Sequence, residues 1–134
     1  GPGVIVADVN VIAYLYLPGK FSEKVEDLPL RDGEWAVPRL WRSEFRNILS
    51  TYMRQKLLTL DAAMAIDARA EALVADNEYD VSSLAVLKLA AASGCSAYDC
   101  EYVALAEHLD AKVVSADAKL RKAFPKRVVS LSEA

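Results

Sequence analysis

One histidine in 134 residues is the most informative shortage in this sequence. His108 falls near the C-terminal end of a helical stretch, where a polar or positive group is comfortable. It leaves no Ser-His or Cys-His arrangement for nucleophilic catalysis. Cysteine is almost as scarce. Cys95 and Cys100 lie in a segment that reads as helical and make a poor disulfide and a poor zinc site, so a reducing, cytoplasmic setting is expected. No apolar run is long enough to cross a bilayer, and no basic stretch precedes an apolar one as in a signal peptide. No membrane partner is therefore expected. Glycine and proline number only 5 each, against 54% hydrophobic and 26% charged residues, which excludes a low-complexity or disordered chain. The charge is also nearly balanced, at a net -3. Any contact with a polyanion would need a local basic patch or a bound cation. Trp35, Trp41 and the six Tyr form no recognisable stacking platform and read as core or interface.

What is present is an alternation of strand-like and helix-like segments. Val4-Ile5-Val6-Ala7 is a short β-branched run suited to a strand buried on both faces. Val9 to Leu17 reads as a short helix stopped by Pro18-Gly19, and Lys20 to Arg31 as a surface helix capped by Ser22. Asp32-Gly33 is turn-like, and Glu34 to Val37 reads as a strand ended by Pro38. From Arg39 to Lys56, Trp41, Phe45, Ile48, Leu49 and Tyr52 recur at helical spacing. A second helix follows from about Thr59 to Ala75, then a weaker strand from Glu78 to Val81. Ser82 and Ser83 cap a helix ending near Ser93-Gly94. Ser96 to Leu109 is helical, Ala111 to Val114 a buried strand, Ala116 to Ala123 a short helix and Arg127 to Ser130 a last strand. This is the pattern of an α/β fold with a parallel sheet covered on both faces. Residues 4–134 are expected to form one domain, with Gly1-Pro2-Gly3 a remnant of tag removal.

Of 19 acidic residues, most have a bland reading. Glu23, Glu26, Asp27, Asp67, Glu71 and Glu107 sit among polar neighbours and are expected to be solvated. Asp8 instead interrupts an apolar run at the end of a buried strand, where an unpaired carboxylate is costly. Ligands bind at the carboxyl ends of strands in parallel α/β sheets. Its alternative role is to cap the next helix, and Asn10 is a natural hydrogen-bonding partner for it. Asp117 has the same context after Val113-Val114, with helix capping through Ser115-x-Asp117 as its alternative. Glu44 flanks the apolar stripe of its helix and so borders the core. Asp99 lies in the first turn of the helix from Ser96, where the macrodipole favours negative charge whether or not the residue is functional. If these four converge, the cluster is untenable without a cation. Hard oxygen donors without His or Cys select Mg²⁺ or Mn²⁺, ions that serve phosphoryl chemistry by activating water.

Four blocks make this specific. Val-Ile-Val-Ala-Asp8-Val-Asn10, Trp41-Arg-Ser-Glu44-Phe-Arg-Asn47, Ala97-Tyr-Asp99-Cys-Glu-Tyr-Val-Ala and Val113-Val-Ser115-Ala-Asp117 resemble, in order, the four acidic motifs of PIN domains, and especially the VapC-like toxins. The resemblance implies a three-layer sandwich whose central, mainly parallel sheet of four to five strands is flanked by helices. It implies a ribonuclease that uses Mg²⁺, with Mn²⁺ substituting, held by Asp8, Glu44, Asp99 and Asp117 and supported by Asn10 and Ser115. It also implies a small antitoxin partner and a homodimer. Ser115 stands where the family more often has Thr, and Cys100 and Glu101 where small or apolar residues are commoner.

Arg39, Arg42 and Arg46 fall along one helical flank, and Lys119, Arg121, Lys122, Lys126 and Arg127 follow Asp117. Arg39, Arg42, Arg46, Lys119 and Arg121 are the candidates for contact with RNA or an acidic partner, against the alternative of solvated helix faces. Two other functional classes stay open. One is a catalytically silent PIN-like binding protein. The other is an aspartyl-phosphate enzyme or receiver domain, which also places an Asp after the first strand. The dehalogenase-type version wants a second Asp two residues on, where this chain has Asn10.

Overall fold

The computed structural model describes residues 3–17 and 34–133. The expected surface helix from Lys20 to Arg31 and the turns flanking it lie outside those residues. Five strands form one sheet: β1 (Val4–Ala7), β2 (Glu34–Pro38), β3 (Glu78–Tyr79), β4 (Lys112–Val114) and β5 (Val128–Val129). Their order is β3-β2-β1-β4-β5 and every pairing is parallel. The run that opens the sequence is therefore the central strand. Ile5, Val6 and Ala7 are buried whichever way they point, because helices cover both faces of a parallel sheet.

Six helices are described: α1 (Val9–Tyr16), α2 (Trp41–Arg54), α3 (Leu60–Leu73), α4 (Ser83–Ser93), α5 (Ala97–Leu109) and α6 (Ala118–Ala123). α1, α2 and α3 contact one another, whereas α4 packs on α5, and α5 lies against β1, β2 and β4. The topology explains the division. From β1 the chain moves outward through β2 to β3, then crosses back to β4 and β5 on the other side of β1. Right-handed crossovers in opposite directions put their helices on opposite faces.

Local signals set the helix ends. Thr59 Oγ1 accepts from the Ala62 amide, Ser82 Oγ from Ala85 and Ser96 Oγ from Asp99. Ser82 alone is thus the cap of α4, with Ser83 its first residue. Gly94 ends that helix at φ 73°, a left-handed conformation that glycine adopts without strain. On α2, Trp41, Phe45 and Leu49 turn inward, with the Trp41 and Phe45 ring centres 5.6 Å apart.

Two acids expected to be solvated, Glu71 and Asp67, are only partly exposed and belong to a polar network. Arg42 grips Glu78 through two hydrogen bonds of 2.7 and 2.8 Å, and the Trp41 indole donates to the same carboxylate. Another guanidinium nitrogen of Arg42 lies 2.8 Å from Glu71. Asp67 hydrogen-bonds to Glu71. Its pKa is pushed up to about 6 by burial, by that bond and by the Glu71 charge. These side chains join α2, α3 and β3, contacts that are remote in sequence and invisible to a reading of neighbours.

Cys95 and Cys100 are free and buried, and among the described residues no helix is long and apolar enough to cross a membrane. Leu105, 1% exposed on the helix that covers three strands, anchors the second layer. Leu105→Ala is expected to lower stability by about 2–5 kcal/mol, measured by urea unfolding followed by far-ultraviolet dichroism.

Candidate metal centre

The register of the sheet places the first two acids. Ala7 pairs with Val114, so β1 and β4 end level with each other and the Asp8 amide still bonds to the Val114 carbonyl at 3.1 Å. Asp8 and Ser115 therefore leave the sheet side by side. Ser115, wholly buried, donates its hydroxyl to Asp8 Oδ2 at 2.7 Å and accepts from the Asp117 amide at 3.0 Å. One hydroxyl thus couples both strand ends. Asp8 stands at the cap position of α1, yet its side chain makes no capping bond. Asn10 is exposed, and it bears on Asp8 through its backbone amide.

β2 lies on the other flank of β1, and α2 begins just beyond its end. Glu44 is in the first turn of α2, half-buried, with Oε1 accepting a 2.7 Å hydrogen bond from the Tyr102 hydroxyl. Asp99 is in the first turn of α5, whose cap is Ser96, so the capping role considered for Asp99 belongs to its neighbour. Asp117 does cap: its Oδ1 accepts from the amides of Lys119 and Leu120. That role uses one carboxylate oxygen.

Three of the acids, Asp8, Glu44 and Asp99, are raised by their surroundings. Burial pushes Asp8 above the usual carboxylate range, Ser115 and the Asn10 amide oppose the rise, and Asp99 and Asp117 add to it. Burial likewise raises Glu44, against the Tyr102 hydrogen bond, with further upward pressure from Asp8, Asp99 and Glu101. Asp99 is raised by burial and by Asp117, while Ser96 and Lys119 pull it down. Tyr102 is driven far upward by burial and the Glu44 charge, so it keeps its proton. Among the described residues, no three His, Cys, Asp or Glu side chains are gathered closely enough to hold an ion as they stand. In kind the donor set fits a hard divalent cation: oxygen ligands, excess negative charge, and neither His nor Cys among the four.

The basic candidates divide. Arg42 is committed to Glu78 and Glu71, and Arg39 pairs with exposed Asp80 at 3.0 Å. Arg121 donates to the Ser115 carbonyl at 2.9 Å, bracing the end of β4. Lys119 is exposed and close enough to act on Asp99. Arg46 is exposed on α2, beside a groove between α2 and α3. Sequence reading missed Tyr102. Its position three residues after Asp99, on the same side of a helix, was the available signal.

A PIN domain model matches residues 5–124. The chain belongs to the PIN-domain family. It is 32% identical over 126 residues to Ribonuclease VapC3 of Pyrobaculum aerophilum, covering 90% of this chain and 95% of that protein, so its likeness is to the VapC branch. The fold matches the crystal structure of FitAcB from Neisseria gonorrhoeae with a TM-score of 0.73 at 16% identity, covering 97% of this chain and 99% of that one. PAE2754 from Pyrobaculum aerophilum gives a TM-score of 0.71 at 19% identity, over 98% and 94% of the two chains.

The electrostatics make a signed prediction. A carboxylate whose folded pKa is raised opposes folding while charged, and the penalty fades as pH falls through that raised value towards the unfolded one. In EDTA at pH 7, Asp8→Asn should melt at or above wild type, and the gap should close as pH is lowered towards 4. Melts across that range check it. A mutant several degrees less stable at pH 7 would make Asp8 an ordinary structural residue.

Proposed function

We propose that residues 4–134 form one metal-dependent ribonuclease domain that hydrolyses RNA phosphodiester bonds with water as nucleophile, and that the protein is the cytoplasmic toxin of a toxin–antitoxin pair. The observation that carries this reading is the meeting of the β1 and β4 ends, where the Ser115 hydroxyl ties Asp8 to the Asp117 backbone, with Asp99 close enough to act on Asp8 and both of them close enough to act on Glu44. The name of the VapC3 relative supports RNA as substrate. Asp8, Glu44, Asp99 and Asp117 would hold Mg²⁺, with Mn²⁺ able to replace it. When bound, such an ion acidifies water and neutralises charge developing on the phosphate. Ser115 holds Asp8, Asp117 stays anchored at its helix end, and Lys119 is placed to meet a phosphate beside Asp99.

The antitoxin is expected in the groove of about 390 Å³ between α2 and α3, where Leu49, Met53, Leu60 and Met64 offer apolar contacts and Arg46 a charged rim. An arginine from it could neutralise the carboxylates as a cation does. Homodimerisation would cover Leu84 and Leu87 on α4 and Tyr98 on α5, all large and exposed.

Incubation of a generic RNA with Mn²⁺ and with EDTA tests the activity. Cleavage is expected only with metal. Asp8→Asn and Asp99→Asn should each fall to the EDTA level with unchanged dichroism. Activity within a few-fold of wild type in either variant would remove that residue from the site. Metal binding by the wild type without cleavage would favour a silent binding protein.

A further inference from the structure

The Tyr102 hydroxyl is the one donor that any described side chain offers to Glu44. Tyr102 is 2% exposed, and a buried phenol needs an acceptor. It finds Glu44 Oε1 at 2.7 Å, the length of a hydrogen bond to a charged oxygen. Among the described residues, Oε2 receives no hydrogen bond. The two residues are 58 apart in sequence, on helices that share few other contacts. Tyr102 lies on α5 three residues beyond Asp99, so one helix face carries both an acid of the cluster and the group that fixes a second acid from α2.

We infer that Tyr102 is a positioning residue for divalent-cation binding: by holding Oε1 it sets the Glu44 carboxylate relative to Asp99, where the two would serve a cation together. The inference rests on the metal-site reading above. Ser115 does for Asp8 what Tyr102 does for Glu44, so each of the two more deeply buried acids is oriented by a hydroxyl from another element. Groups that orient metal ligands in this way typically change affinity or activity by roughly 10- to 100-fold when removed.

The test is Mn²⁺ binding by isothermal titration calorimetry to wild type, Tyr102→Phe, Glu44→Gln and the double variant. Tyr102→Phe should weaken Mn²⁺ by about 10-fold and lower kcat for RNA while leaving KM near wild type. In the Glu44→Gln background the same change should cost almost nothing further. Wild-type affinity in Tyr102→Phe, or an equal loss in both backgrounds, overturns the inference and leaves Tyr102 as packing. Absence of Mn²⁺ binding in the wild type overturns the metal-site reading instead. Should Tyr102→Phe not fold, 3-fluorotyrosine placed at position 102 retains the hydroxyl. Its ¹⁹F resonance should shift on Mg²⁺ titration in the wild-type background and stay still in Glu44→Gln. A resonance that ignores Mg²⁺ in both, or moves equally in both, contradicts the inference.

Discussion

A carboxylate at the end of a buried strand cannot be both desolvated and charged without help, and Asp8 is that carboxylate. Its help is partial: one hydroxyl from Ser115 and one backbone amide, set against the fields of Asp99 and Asp117. Ser115 is wholly buried with the core, and its hydroxyl is committed to this carboxylate. The remaining deficit is electrostatic. It would be met by a cation.

The parallel sheet makes the demand unavoidable. All five strands point the same way, so the ends of β1 and β4 and the starts of α2 and α5 come to one edge. Amide groups at those helix starts favour negative charge there, which offsets part of the repulsion that four acids create. The same layout commits two of the arginines elsewhere and leaves Lys119 near Asp99. Arg42 is absorbed by Glu78 and Glu71, and Arg121 turns to a carbonyl. An arginine drawn fully into the carboxylates would neutralise them and compete with an ion.

Much of this is legible in the sequence, for definable reasons. β1, α2 and α5 declare themselves through apolar periodicity, and Ser96, Thr59 and Gly94 through the chemistry of helix ends. Asp8 stands out because a charge in Val-Ile-Val-Ala-Asp-Val has no bland role. The helical angle alone places Glu44 at the border of the core. What stays hidden is long-range pairing. Glu78 and Arg42 are 36 residues apart and Tyr102 and Glu44 are 58 apart, and no local pattern announces such partners. Asn10, two residues from Asp8, is exposed and reaches it through its backbone amide, which any residue type at that position supplies.

The central claim is that four acids from four segments serve one divalent ion. Anomalous diffraction at the manganese edge, from crystals grown with Mn²⁺, tests it most directly. The account predicts a peak enclosed by the carboxylates of Asp8, Glu44, Asp99 and Asp117. Well-diffracting crystals at saturating Mn²⁺ with no peak at that edge, or with the ion held elsewhere, would contradict it.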